Sequence, residues 1–145
     1  MTLITDAKAT LSNVNDPVIL EVARMESIEP DNLARLIARG RVVIPANVNR
    51  DITARIEEGG IRAVGERVST KINANIGTSR DYIDHDEEFL KAETAVKYGA
   101  DAVMDLSTGG DPGIVRRNIL KKLVIPIGTV PIYDACLRGG AVVDT

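Results

Sequence analysis

Apolar and polar positions along this chain follow two rhythms, and the change comes at residue 71. Before it, apolar residues recur at helical spacing. Residues 16–28, DPVILEVARMESI, read as a helix with Asp16 as N-cap and Pro17 in its first turn. Residues 30–39, PDNLARLIAR, read as a second helix, with Leu33, Leu36 and Ile37 on one face and Gly40 as its stop. RVVIP, residues 41–45, is a short β-rich run ended by Pro45. Residues 46–70 are polar, contain glycine and keep no clean period, so they are expected to be mostly loop, with room for helical turns.

From residue 71 short apolar runs alternate with capped helical stretches. KINANI (71–76) reads as a strand and TSRDYIDHD as a connection rich in turn and cap residues. Residues 86–99 read as a helix, with acids in the first turn and Gly99 at the end. DAVMDLS (101–107) is the next strand. GGDPG (109–113) is a turn in which Asp111 caps and Pro112 opens the helix that IVRRNILKKL (114–123) continues. VIPIGTVPIY (124–133) is a third strand-like run. This alternation predicts an α/β fold with parallel strands joined by right-handed crossovers.

The first of these strands is unusual. A parallel strand buried on both faces is nearly all apolar, yet Lys71, Asn73 and Asn75 share one face by the two-residue period. Asn75, Met104 and Tyr133 stand 29 residues apart in succession, each near the C-terminal end of its run. That edge is where βα folds gather their ligands. Two readings stand: the polar groups meet a ligand, or they satisfy one another and nearby backbone. The GGDPG turn could hold a phosphate on its N–H groups. Asp111 at the cap takes those donors and repels an anion, so a tight turn is expected.

Composition narrows the function classes. The chain has 145 residues, 44% hydrophobic and 27% charged, enough for a buried core. A net charge of −3 provides no basic field, so neither nucleic acid nor an anionic membrane is an expected partner. No apolar run approaches the ~20 residues of a membrane span. MTLITDAKATLSNVND lacks the basic start and apolar core of a signal peptide, so the expected location is the cytoplasm. The single Cys136 excludes a disulfide within the chain and a multi-cysteine metal site. His85, the one histidine, is expected to be a solvated loop residue, and Cys136 a small apolar one.

Four blocks, GRVVIPAN (40–47), KINANIGTS (71–79), YGADAVMDLSTGGD (98–111) and PIGTVPIYDA (126–135), together resemble the N-terminal part of phosphomethylpyrimidine synthase. That family is the thiamine pyrimidine synthase among the radical S-adenosylmethionine enzymes. The resemblance spans roughly residues 18–140. It implies a (β/α) barrel and conversion of aminoimidazole ribonucleotide to hydroxymethylpyrimidine phosphate. The radical rearrangement starts by cleavage of S-adenosylmethionine at an iron-sulfur cluster. It also implies substrate contacts at Asn75, Met104 and Tyr133, the positions the 29-residue spacing singles out.

On this basis residues 1–45 are expected to form an N-terminal helical segment with a short strand. Residues 46–145 are expected to form the first βα units of the barrel, three or four strands of an incomplete ring. The family's cluster motif and metal-binding histidines have no counterpart here. No cofactor is therefore expected on this chain, and the chain alone is not expected to be catalytically competent. The open sheet edge predicts a homo-oligomer, with aminoimidazole ribonucleotide as the candidate ligand. Other readings are a non-catalytic nucleotide-binding or assembly module, a remnant without ligand, and the N-terminal part of a hydroxybenzimidazole synthase acting on the same substrate.

Overall fold

The computed structural model describes residues 14–47 and 51–139, in two units divided between Thr70 and Lys71. Residues 1–13, most of the stretch read for a signal peptide, lie outside the described residues, as do residues 140–145.

The first unit opens with two helices whose starts are written in their sequences. In α1 (Pro17–Glu26) the Asp16 carboxylate accepts from the Val18 N–H at 2.8 Å, and proline occupies the first turn, where no N–H is needed. In α2 (Pro30–Ala38) proline again opens the helix. Ile19, Val22 and Ala23 of α1 pack with Leu33 and Ala34 of α2, and with Val42, Ile61 and Ala63. The run after α2 forms strand β1 (Val42–Val43), paired antiparallel with β2 (Val64–Gly65). Residues 46–70 thus hold more structure than an unbroken loop: besides β2 there is a short helix, α3 (Ile52–Glu57). Its buried Arg55 donates to the carbonyls of Pro45 and Gly60, at 3.1 and 2.9 Å. These contacts join parts of the loop without any apolar period, which is why periodicity misses them.

The second unit is an α/β array. Its elements are β3 (Asn73–Ile76), α4 (His85–Lys97), β4 (Ala102–Asp105), α5 (Pro112–Lys122), β5 (Ile127–Thr129) and α6 (Pro131–Gly139). The three strands are parallel and in the order β3-β4-β5. The helix starts are capped by side chains. Asp84 accepts from the N–H groups of Asp86 and Glu87, and Asp111 from that of Gly113. Each crossover moves one place in the same direction, so both helices fall on one face of the sheet. On that face Ile76 and Val103 pack with Ala92 of α4 and Val115 and Ile119 of α5.

Two sequence expectations change here. The apolar run 124–133 is not one strand: β5 ends at Thr129, and Pro131 starts α6. A proline with its fixed φ suits the first helical turn, so Tyr133 lies on a helix, not at a strand end. His85 is not a solvated loop residue. Because Asp84 caps α4, His85 is the first residue of the helix, half-buried, with an Nε2 atom that is buried and without a hydrogen-bond partner. A methyl group at Gly110 would lie 3.3 Å from that atom, so the imidazole packs against the Gly109–Gly110 turn.

The ends of the strands are held by buried polar groups. Gly77, directly after β3, has φ +145, and a Cβ there would stand 2.6 Å from the Ser107 backbone nitrogen. Only glycine lets these two strand exits pass so closely. Glu88 of α4 is 2% exposed and accepts from the Gly77 N–H at 2.7 Å, while Lys91 supplies the counter-charge at 2.7 Å. Glu88→Ala leaves the Gly77 donor without its carboxylate. It is expected to lower stability by about 2 kcal/mol, read as a fall in the urea midpoint with an unchanged slope. An unchanged midpoint would show that this bond does not hold the strand exit.

Candidate functional site

The register of the sheet aligns the candidate residues. Asn75 of β3 is paired with Met104 of β4, and Met104 with Gly128 of β5, forming one row across all three strands. One step earlier Asn73 faces Ala102. With the two-residue period, Asn73, Asn75, Ala102, Met104 and Gly128 share the face opposite to the helices. The odd polar strand is thereby explained: its apolar residues serve the helix side, and its amides lie on the other. Asn73 and Asn75 are exposed and Met104 is half-buried. Lys71 lies before the start of β3 and is half-buried.

The two amides meet each other. Asn73 Nδ2 donates to Asn75 Oδ1 at 3.0 Å, so the pair is partly self-satisfied. The Asn75 amide still offers two N–H donors and a further lone pair on an exposed face. Met104 turns toward β5. A methyl group at Gly128 would lie 2.8 Å from Met104 Cε and 2.9 Å from Sδ, so the thioether lies over the glycine.

Tyr133 reaches the same edge of the sheet by another route. It is the third residue of α6, past the end of β5, and 38% exposed. Its N–H donates to the Val130 carbonyl at 3.0 Å, closing the first turn. The structure therefore brings Asn75 and Met104 into one row and places Tyr133 on the helix that follows the third strand.

Next to this row lies a charged network that sequence reasoning did not find. Asp105, the last residue of β4, is fully buried. Its Oδ1 accepts from the Ser107 N–H and hydroxyl at 3.0 and 2.5 Å, and its Oδ2 from Arg116 Nε at 2.5 Å. Both terminal nitrogens of Arg116 donate to Asp134 of α6, at 2.5 and 2.8 Å. The Arg116 pKa is raised, above all by the Asp134 hydrogen bonds; burial opposes the rise and Asp105 adds to it. Ser107 in turn accepts from the Thr78 N–H at 3.1 Å, and the Thr78 hydroxyl donates to the Gly109 carbonyl at 2.6 Å. The available signal was Asp105 itself, a carboxylate inside the apolar run AVMDL.

Residues 2–144 match the family model described as the radical SAM ThiC family. The chain belongs to that family. It is 48% identical over 128 residues to the phosphomethylpyrimidine synthase of Pyrococcus furiosus, covering 86% of this chain and 28% of the relative. It is 49% identical over 144 residues to that of Archaeoglobus fulgidus, covering 99% and 32%. To phosphomethylpyrimidine synthase 2 of Methanosarcina barkeri it is 47% identical over 144 residues, covering 99% and 31%. The chain thus spans about a third of the length of these relatives.

An iron-sulfur cluster is held by several thiolates. These 145 residues contain one cysteine, Cys136, half-buried on α6. Among the described residues, no three His, Cys, Asp or Glu side chains are grouped to hold a metal ion. The residues of this radical SAM ThiC family chain do not fit the cluster. Among the described residues, no helix is long and apolar enough to cross a membrane.

Gly128→Ala is expected to push the flexible end of Met104 off the row while changing stability by less than about 1 kcal/mol, because a methionine tip yields easily. Methyl-labelled methionine spectra would show the Met104 resonance move and that of Met25 stay. An unmoved Met104 signal would contradict the close packing on Gly128.

Proposed function

We propose that this chain is the substrate-side N-terminal part of a phosphomethylpyrimidine synthase, a cytoplasmic enzyme of thiamine biosynthesis. In this reading the β3–β5 array is the beginning of a (β/α) barrel. Its polar face, with Asn75, Met104 and Tyr133, forms part of the site for aminoimidazole ribonucleotide. Consecutive parallel strands with α4 and α5 on one face agree with a barrel wall. The observation that carries the reading is the row Asn75–Met104–Gly128 on the face away from the helices, in a chain about half identical to enzymes of that name.

Each side chain has a chemical part in the proposed site. The Asn75 amide can donate to a ring nitrogen or a ribose hydroxyl. Met104 offers a soft apolar contact to the ring. Tyr133 can donate its phenol proton to a phosphate or hydroxyl oxygen. In this family S-adenosylmethionine and the cluster supply the radical. With a single cysteine here, the thiolates would come from residues beyond these 145, in the same or another polypeptide. The single cysteine equally favours a second reading, a nucleotide-binding module without chemistry of its own. Outer strands β3 and β5 support the further proposal of a homo-oligomer.

The test is a thermal melt of the 145-residue chain with aminoimidazole ribonucleotide. A ligand bound only by the folded state adds about 2.7 kcal/mol at a hundredfold excess over its Kd. A stabilisation lost in Asn75→Ala is expected. A cooperative melt without any shift would overturn the proposal that these residues bind the nucleotide by themselves. Light scattering is expected to give a mass above 15.6 kDa, and a monomer that persists at high concentration would refute the oligomer.

A further inference from the structure

Tyr133 stands on α6, four residues beyond the end of β5. We infer that Arg116 is the positioning residue for Tyr133, fixing the first turn of α6 against the end of β4. This rests on the reading that Tyr133 belongs to the substrate site.

Arg116 bonds the chain neighbours of two candidate residues. Its Nε reaches Asp105, the residue after Met104, and its two terminal nitrogens reach Asp134, the residue after Tyr133. The inner anchor is immobile, because Asp105 is fully buried and also accepts two bonds from Ser107. Arg116 itself stands on α5 next to the buried Val115, with a side chain 16% exposed. A planar guanidinium with both forks occupied fixes direction as well as distance, which a lysine ammonium cannot do.

The energetics favour a geometric role over a stabilising one. Apolar packing often replaces a buried ion pair without loss of stability, so such a pair is weak evidence for stability alone. The outer partner, Asp134, keeps a 24% exposed side chain, where attraction is screened, yet it receives the bidentate contact. That contact connects α6, with its Tyr133, to the strand that carries Met104.

The three tyrosines, Tyr82, Tyr98 and Tyr133, make the test direct. With ring-labelled tyrosine, the Tyr133 resonance is expected to move toward its free-tyrosine value in Arg116→Lys. Tyr82, bonded to Glu87, and Tyr98, 80% exposed, should stay in place as internal references. Asp134→Ala leaves the Arg116–Asp105 pair intact and should give the same Tyr133 shift, so the test stands even if Arg116→Lys fails to fold. An unmoved Tyr133 signal in a folded variant overturns the inference.

Affinity for aminoimidazole ribonucleotide provides the second measurement. Asp134→Ala should weaken binding about tenfold. Added to Tyr133→Ala it should weaken binding no further, because both changes remove one contact. Independent, multiplying losses would mean that Arg116 and Asp134 do not act through Tyr133, and would overturn the inference alone. Full affinity in Tyr133→Ala would overturn the substrate-site reading, and the positioning role with it.

Discussion

A carboxylate enclosed at the end of the central strand governs the C-terminal edge of the second unit. Asp105 has no exposure, and an ionised group there must be met by donors on each oxygen. Ser107 meets one side, which turns the chain sharply after β4. Arg116 meets the other, which fixes α5 against the sheet and leaves its remaining nitrogens for α6. The same Ser107 hydroxyl accepts from Thr78, and so the exit from β3 is joined to the exit from β4. One buried charge thus sets the turn, the crossover helix and the following helix.

The helix side and the opposite side of the sheet divide the labour. Ile76 and Val103 supply apolar contact to α4 and α5, and alternate residues are thereby freed from packing. A strand with asparagine at every second position would be unstable in a sheet covered on both faces. With helices serving one face, the asparagines cost little, and the proposed site occupies positions that the core does not need. The glycine at position 128 extends this economy to the third strand, where the space above it is filled by the Met104 thioether.

Much of the architecture was readable because its signals are local. Asp16 with Pro17 and Asp111 with Pro112 mark helix starts within a few residues, and both caps form as those pairs suggest. The alternation of runs predicted the parallel strands, and the two-residue period placed Asn73 and Asn75 together. What failed to show itself was non-local or ambiguous. VIPIGTVPIY is rich in valine and isoleucine, and its two prolines do not say which of them ends a strand and which begins a helix. Arg116 meets Asp105 and Asp134 across 11 and 18 residues, distances at which no local rule pairs charges. His85 looked solvated because its burial comes from the Gly109–Gly110 turn, far along the chain.

The hydrogen bond between the two asparagines gives the exposed face a polarity. Asn73 donates to Asn75 Oδ1, so the Asn75 amide cannot turn over by itself without setting two N–H groups against each other. Its nitrogen is therefore the end presented outward. A group with a lone pair, such as an unprotonated ring nitrogen or an oxygen, meets a ready donor. A group that can only donate is left with the one remaining lone pair of Asn75 Oδ1. In the proposed site, a preference for lone pairs would be set by a neighbour two residues distant, before any molecule arrives.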